Sequence, residues 1–300
     1  MIKKIIKWLG NILVLLSIIF IIKTMSNFHI DYSILIQPKM LCFIIILSVI
    51  SAISIFFDSM AGKFMIKDIL GVVIPFKVIY KIYSKSNIGK YLPGNVMHYV
   101  SRGIYCKEHN IDSKDMYYVT ILEILLKVMT AFLITIFFMY KKISSIFKLS
   151  NINIEIKFYY IIAISCILMC ILYVFIYYKK RDVKESLILE VKALKPMILY
   201  SLTFFLNAAL FLIVVDLLDS SLLNSEDILY VIGIYTMVWL IGYVTPGAPG
   251  GIGIKETLLL VSLSPMYGEK IVLLVAVIVR VINVFGDLIA YGVNILPNKQ

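Results

Sequence analysis

The chain has 300 residues, of which 61% are hydrophobic and only 16% charged, and its mean hydropathy is +0.95. That balance excludes a water-soluble globular domain and implies an all-α fold, a polytopic membrane helix bundle forming one integral membrane domain over residues 1–300. The formal charge of +11 is spread through the segments between apolar runs, which argues against a nucleic-acid partner and for anionic lipid headgroups.

Taken in chain order, the first apolar run, Ile5 to Ile22, follows Lys3 and Lys4 as a secretory leader would. It is as long as a membrane span and no small-residue cleavage site follows it, so it reads as a retained first helix. Further runs long enough to cross fall at Met40 to Phe57, Met116 to Tyr140, Phe158 to Tyr178, Pro196 to Leu218, Ile228 to Val244 and Ile271 to Leu296. Two segments stay ambiguous. Ile74 to Tyr105 is half apolar and contains "YLPGN", and Gly250 to Leu263 is too short to cross alone. The expectation is roughly seven to eight spans. Loop charge gives an orientation: Lys63 to Lys114 holds nine Lys and Arg, Lys179 to Lys195 six, and Pro196 to Gly253 none. This predicts a cytoplasmic N-terminus, although the loop carrying Lys141, Lys142, Lys148 and Lys157 runs against the count.

Two Pro/Gly breaks interrupt this pattern, "SNIGKYLPGNVMHYVSR" early and "YVTPGAPGGIGIKE" late, each followed by a short helical stretch that ends in charge. Non-helical backbone is tolerated at membrane depth where protein or a polar cavity surrounds it, and paired breaks in corresponding halves mark transporter binding sites. The two segments are therefore expected to be re-entrant and related as an inverted repeat, with half-helices starting near Asn95 and near Gly251. The free amides and the positive dipole end of such helices attract phosphate or carboxylate. Around the early break the candidate ligand-binding residues are Pro93, Gly94, Asn95 and Arg102, with His98 one turn before Arg102. Around the late break they are Pro249, Gly250, Gly251, Gly253, Lys255 and Glu256.

Charge inside apolar runs supplies the remaining candidates. Glu123 and Lys127 are spaced i, i+4 in the favourable order and are expected to pair or to line a pathway. Arg280 and Asp287 lie seven apart on nearly one face of the last run, and Arg280 could meet a lipid phosphate with both arms of its guanidinium. Enzyme signatures are missing: there is no HExxH, GxSxG or P-loop, and His29, His98 and His109 lack metal spacing, so no metal and no cofactor is expected. A membrane enzyme would have to use Glu123 and Glu256 as its acid and base, and enzymatic activity is the weaker reading.

Both breaks together resemble the lysylphosphatidylglycerol synthase transmembrane-region family, which pairs an early Pro-Gly motif followed by arginine with a late PGG-x-G-x-x-E motif. The resemblance rests on Pro93, Gly94, Asn95 and Arg102 in the first and on Pro249, Gly250, Gly251, Gly253 and Glu256 in the second. It implies a multi-pass bundle in the bacterial cytoplasmic membrane. In the family's bifunctional members, the multiple peptide resistance factors, this region is associated with moving aminoacylated phosphatidylglycerol between leaflets, and a separate soluble domain makes that lipid. The present chain is expected to lack that aminoacyltransferase domain. The expected ligand is an anionic or aminoacylated phospholipid or a lipid-linked headgroup. The alternative is a non-catalytic membrane partner of a glycosyltransferase or lipid-modifying enzyme.

Overall fold

A computed structural model describes residues 37–91, 97–107, 109, 111–149, 173, 189–245, 249–251 and 253–293. Among these residues the structure is entirely helical: α1 Pro38–Leu70, α2 Phe76–Asn87, α3 Met97–Lys107, α4 Ser113–Leu149, α5 Leu189–Leu218, α6 Ser225–Val244, α7 Ile254–Tyr267 and α8 Glu269–Gly292. Five of the eight, α1, α4, α5, α6 and α8, are long and apolar enough to cross a bilayer. The protein is a multi-pass membrane protein. The runs at Ile5 to Ile22 and Phe158 to Tyr178 lie outside the described residues, apart from Tyr173.

The first described span departs from its apolar run. α1 continues past Phe57 to Leu70, carrying Asp58, Lys63, Lys67 and Asp68, and its 33 residues reach about 50 Å at 1.5 Å per residue. It starts with Pro38 in the first turn, where the missing N–H costs nothing, and stops at Gly71, whose φ of +71° suits a left-handed cap. One side of α1 carries Leu41, Ile45, Ile46, Val49 and Ile53, all exposed, as a lipid-facing side requires. The opposite side carries the small buried residues Ser48, Ser51 and Ser59.

Those small residues let α8 approach closely. A Cβ at Gly286 would lie 2.8 Å from the Ser51 Cβ and 3.0 Å from the Ser48 carbonyl oxygen, so glycine is what permits the crossing. α8 is the central helix of the bundle, buried from Val272 through Val279 and again at Ile282, Gly286, Asp287 and Ala290. It packs on α1, α5 and α7, while α4 packs on α6 and α5.

The ambiguous segments resolve into short helices. α2 and α3 have 12 and 11 residues, too short to span, and a 3₁₀ turn at Ile88–Tyr91 follows α2. In the second half a 3₁₀ turn at Pro249–Gly251 precedes α7, a 14-residue helix. The two turns pack against each other, so both breaks meet at one place in the bundle.

Candidate functional site

All eight helices contribute to one polar cavity of about 220 Å³ in the middle of the bundle. Its charged lining comprises Asp58 from α1, Lys90 from the first turn, Arg102 from α3, Glu123 and Lys127 from α4, Lys255 and Glu256 from α7, and Arg280 and Asp287 from α8. An isolated charge at this depth costs several kcal/mol, of order 3, so its partners decide whether it is tolerated.

Each of the four carboxylates has a cationic partner. The Arg102 Nη1 donates to Glu123 Oε2 at 2.5 Å, Tyr83 donates its hydroxyl to the same oxygen at 2.8 Å, and the guanidinium lies 3.7 Å from the Tyr83 ring centre. The Lys127 ammonium donates to Asp58 Oδ2 at 2.6 Å, and Thr203 donates to Asp58 Oδ1 at 3.2 Å. Lys90 meets Asp287 Oδ2 at 2.5 Å, where the Tyr91 hydroxyl also donates at 2.5 Å, and Asn87 Nδ2 donates to Oδ1 at 2.7 Å. Arg280 Nη1 is paired with Glu256 Oε1.

The spacing of Glu123 and Lys127 left open a mutual pair or a place along a polar pathway; both line the cavity and they do not pair with each other. Each is engaged by a different helix, Glu123 by α3 and Lys127 by α1, because those helices bring a full opposite charge into contact. Arg280 and Asp287 likewise face α7 and the first turn respectively. Glu256 neither neutralises Lys255 in an ion pair nor stands free. Its Oε2 accepts the Gly253 N–H at 2.8 Å, capping α7, while its Oε1 holds Arg280.

Lys255 is therefore the exception. It lines the cavity and makes no ion pair or hydrogen bond among the described residues, while Arg280 and Lys90 are charged neighbours on the same side. Two glycines make room for its stem. A Cβ at Gly242 on α6 would lie 2.8 Å from Lys255 Cγ, and a Cβ at Gly251, whose φ is +76°, would lie 2.6 Å from Lys255 Cε. The backbone break thus does more than end a helix, because it leaves a slot along which the lysine reaches the cavity. Beside it, Gly250 has φ +60° and sits within 3.9 Å, measured from an added Cβ, of Arg280 Nη2 and the Lys90 carbonyl.

Part of the lining is aromatic. His98 stands against Tyr99 with ring centres 3.7 Å apart, the Tyr99 and Tyr243 hydroxyls share a hydrogen bond, and Trp239 stacks on Tyr243 at 4.6 Å. The imidazole is buried, and its Nδ1 has no hydrogen-bond partner. Neutral donors and acceptors also line the cavity: Ser51 donates to Asn283 Oδ1 at 2.7 Å, and Asn207 Nδ2 donates to the Thr203 carbonyl at 2.8 Å. Among the described residues no group of His, Cys, Asp and Glu is arranged to hold a metal ion.

Of the residues singled out from sequence, Arg102, Glu123, Lys127, Gly250, Lys255, Glu256, Arg280 and Asp287 come together on this cavity. Pro249 and Gly251 form the adjoining turn, and Gly253 caps α7. Pro93, Gly94 and Asn95 lie outside the described residues, and the helix expected to start near Asn95 is described from Met97. Sequence reading missed Asp58, Lys90, Asn87, Tyr83, Tyr91 and Asn283. Asp58 follows Phe56 and Phe57 directly and could have been found by carrying the helix past the apolar run. Lys90 was counted as loop charge, together with Arg102.

The family model described as Lysylphosphatidylglycerol synthase TM region matches residues 9–290. The chain belongs to this family. No curated protein and no solved structure matches the chain. Membership in the lysylphosphatidylglycerol synthase TM-region family places the protein among membrane proteins of lipid handling. The matched region takes in both breaks and the whole described cavity.

Proposed function

We propose that this protein binds the phosphate-bearing headgroup of a membrane lipid in its central cavity and passes it between leaflets of the bacterial cytoplasmic membrane, with its N-terminus in the cytoplasm. The observation that carries the reading is the charge pattern. Among the described residues five cations and four carboxylates line the cavity, every one of these carboxylates is paired, and Lys255 is left over beside Arg280 and a glycine-rich turn. A phosphate supplies the missing negative charge and the acceptors that a lysine and the open edge of a guanidinium seek. Gly250, at positive φ, lines the cavity and leaves backbone there that a headgroup can approach without a side chain in the way.

The family match supports a lipid as the source of that phosphate. Among the described residues the cavity holds no opposed pair of free carboxylates, since Glu123 and Glu256 are each held in an ion pair, which disfavours the acid and base roles a hydrolase or transferase would need. Reconstitution into vesicles with labelled phospholipids tests the proposal. Faster leaflet exchange than in protein-free vesicles is expected. Lipid retention without any exchange across several headgroups would favour a membrane partner of a lipid-modifying enzyme or glycosyltransferase instead.

A further inference from the structure

We infer that the cavity selects an unmodified, anionic polyol-phosphate headgroup and discriminates against an aminoacylated one. The inference rests on the lipid-binding reading above and names the class of headgroup. Its first support is electrostatic. Among the described residues the cavity lining carries a formal excess of one positive charge, contributed by Lys255. A glycerol-phosphate headgroup brings one negative charge and leaves the site neutral. A lysyl ester of the same headgroup brings two ammonium groups with its phosphate, so that the occupied site would hold two uncompensated positive charges in a medium that penalises them.

The second support is the absence of a receptor for an ammonium among the described residues. Recognition of an amine buried in a bundle needs a carboxylate free to pair with it. Asp58 is held by Lys127 and Thr203, Glu123 by Arg102 and Tyr83, Glu256 by Arg280 and the Gly253 N–H, and Asp287 by Lys90, Tyr91 and Asn87. Freeing any of them would leave its cation without a partner, so a lysyl group would have to displace a partner that is already in place.

The third support is the neutral lining. Ser51, Ser54, Asn207, Asn283 and Tyr235 line the same cavity with hydroxyl and amide groups. Such groups satisfy the hydroxyls of a glycerol or sugar, which both donate and accept. An ammonium group, which only donates, makes less use of them. His98 adds a buried, unpartnered Nδ1 beside the same space. The headgroup class is therefore a phosphate diester or monoester carrying free hydroxyls.

The experiment is native mass spectrometry of the full chain from mild detergent with equimolar phosphatidylglycerol, lysyl-phosphatidylglycerol, phosphatidylcholine and phosphatidic acid, repeated with glycerol phosphate as a soluble competitor. Retention of phosphatidylglycerol at least tenfold above lysyl-phosphatidylglycerol and phosphatidylcholine, and above phosphatidic acid by a smaller factor, is expected. Lys255→Gln should bring the first ratio close to one. Lysyl-phosphatidylglycerol retained as well as or better than phosphatidylglycerol by the wild-type chain overturns the selectivity and leaves lipid binding standing. Retention of no lipid at all overturns the lipid-binding reading itself. Displacement of bound lipid by glycerol phosphate at equal concentration would keep the headgroup class and assign the site to a soluble phosphate, against the lipid reading.

Discussion

Arg102 and Glu123, 21 positions apart, meet at 2.5 Å inside the bundle, with the Tyr83 ring lying under the guanidinium and the Tyr83 hydroxyl on the same carboxylate oxygen. Both side chains are nearly inaccessible, at 7% and 3% exposure, so neither charge can turn to water if the other is lost.

Removing one partner should therefore cost more than removing both. Glu123→Gln and Arg102→Met are each expected to destabilise the bundle by about 3 to 5 kcal/mol, the usual cost of stranding one member of a buried pair. The double variant should lose less than the sum of the two. Thermal unfolding in detergent, arranged as a double-mutant cycle, measures the coupling, and additive effects would show that the pair contributes nothing as a pair.

The crossing of α1 and α8 makes a purely steric prediction. Gly286→Ala places its Cβ 2.8 Å from Ser51 and 3.0 Å from a backbone oxygen, and the backbone oxygen cannot rotate away. A loss of about 1 to 3 kcal/mol is expected from overpacking. An added Ser51→Gly change should restore part of it, and a Gly286→Ala protein as stable as wild type would mean the helices sit farther apart.

Arg280 and Lys255 separate structural from ligand-binding charge. Arg280→Gln leaves Glu256 without its cation and deprives α8 of its tie to α7, so stability and lipid retention should fall together. Lys255→Gln strands no carboxylate, so its melting temperature should stay within a few degrees of wild type while anionic-lipid retention falls. A matched drop in stability for both would place Lys255 in the structural network.

How much of this was legible in the sequence varies with the kind of contact involved. Five described spans follow apolar runs, because a helix in lipid must satisfy its own backbone and needs about twenty apolar residues to cross. The apolar run ends at Phe57 because Asp58 looks like its boundary, and Lys127 on α4 and Thr203 on α5 make that carboxylate tolerable further along the helix. The late motif drew attention to Gly250, Gly251, Lys255 and Glu256, and charge inside the last apolar run to Arg280; all five line the cavity or its adjoining turn. The motif could not show that Glu256 would be taken by Arg280 and the Gly253 N–H, leaving Lys255 unpaired. Helical spacing places Glu123 and Lys127 on one face but is silent about what the neighbouring helices present. Two of the nine basic residues counted between Lys63 and Lys114, Lys90 and Arg102, line the cavity and carry no information on loop orientation.

Gly242 tests the slot that holds the lysine. In Gly242→Ala the new Cβ falls 2.8 Å from Lys255 Cγ, and the flexible stem must move aside. Anionic-lipid retention should drop several-fold with little loss of stability. The same change made on a Lys255→Gln background should have a smaller effect, since the displaced ammonium is already gone. Equal effects in both backgrounds would mean that Gly242 acts through helix packing alone.

The most direct measurement is the affinity of phosphatidylglycerol for the wild-type chain, Lys255→Gln and Lys255→Arg in the same detergent. The unpaired cation predicts a loss of about tenfold in the glutamine variant, equivalent to about 1.4 kcal/mol, and largely preserved binding in the arginine variant. Equal affinity in all three folded proteins would contradict the claim that Lys255 is the group awaiting the phosphate.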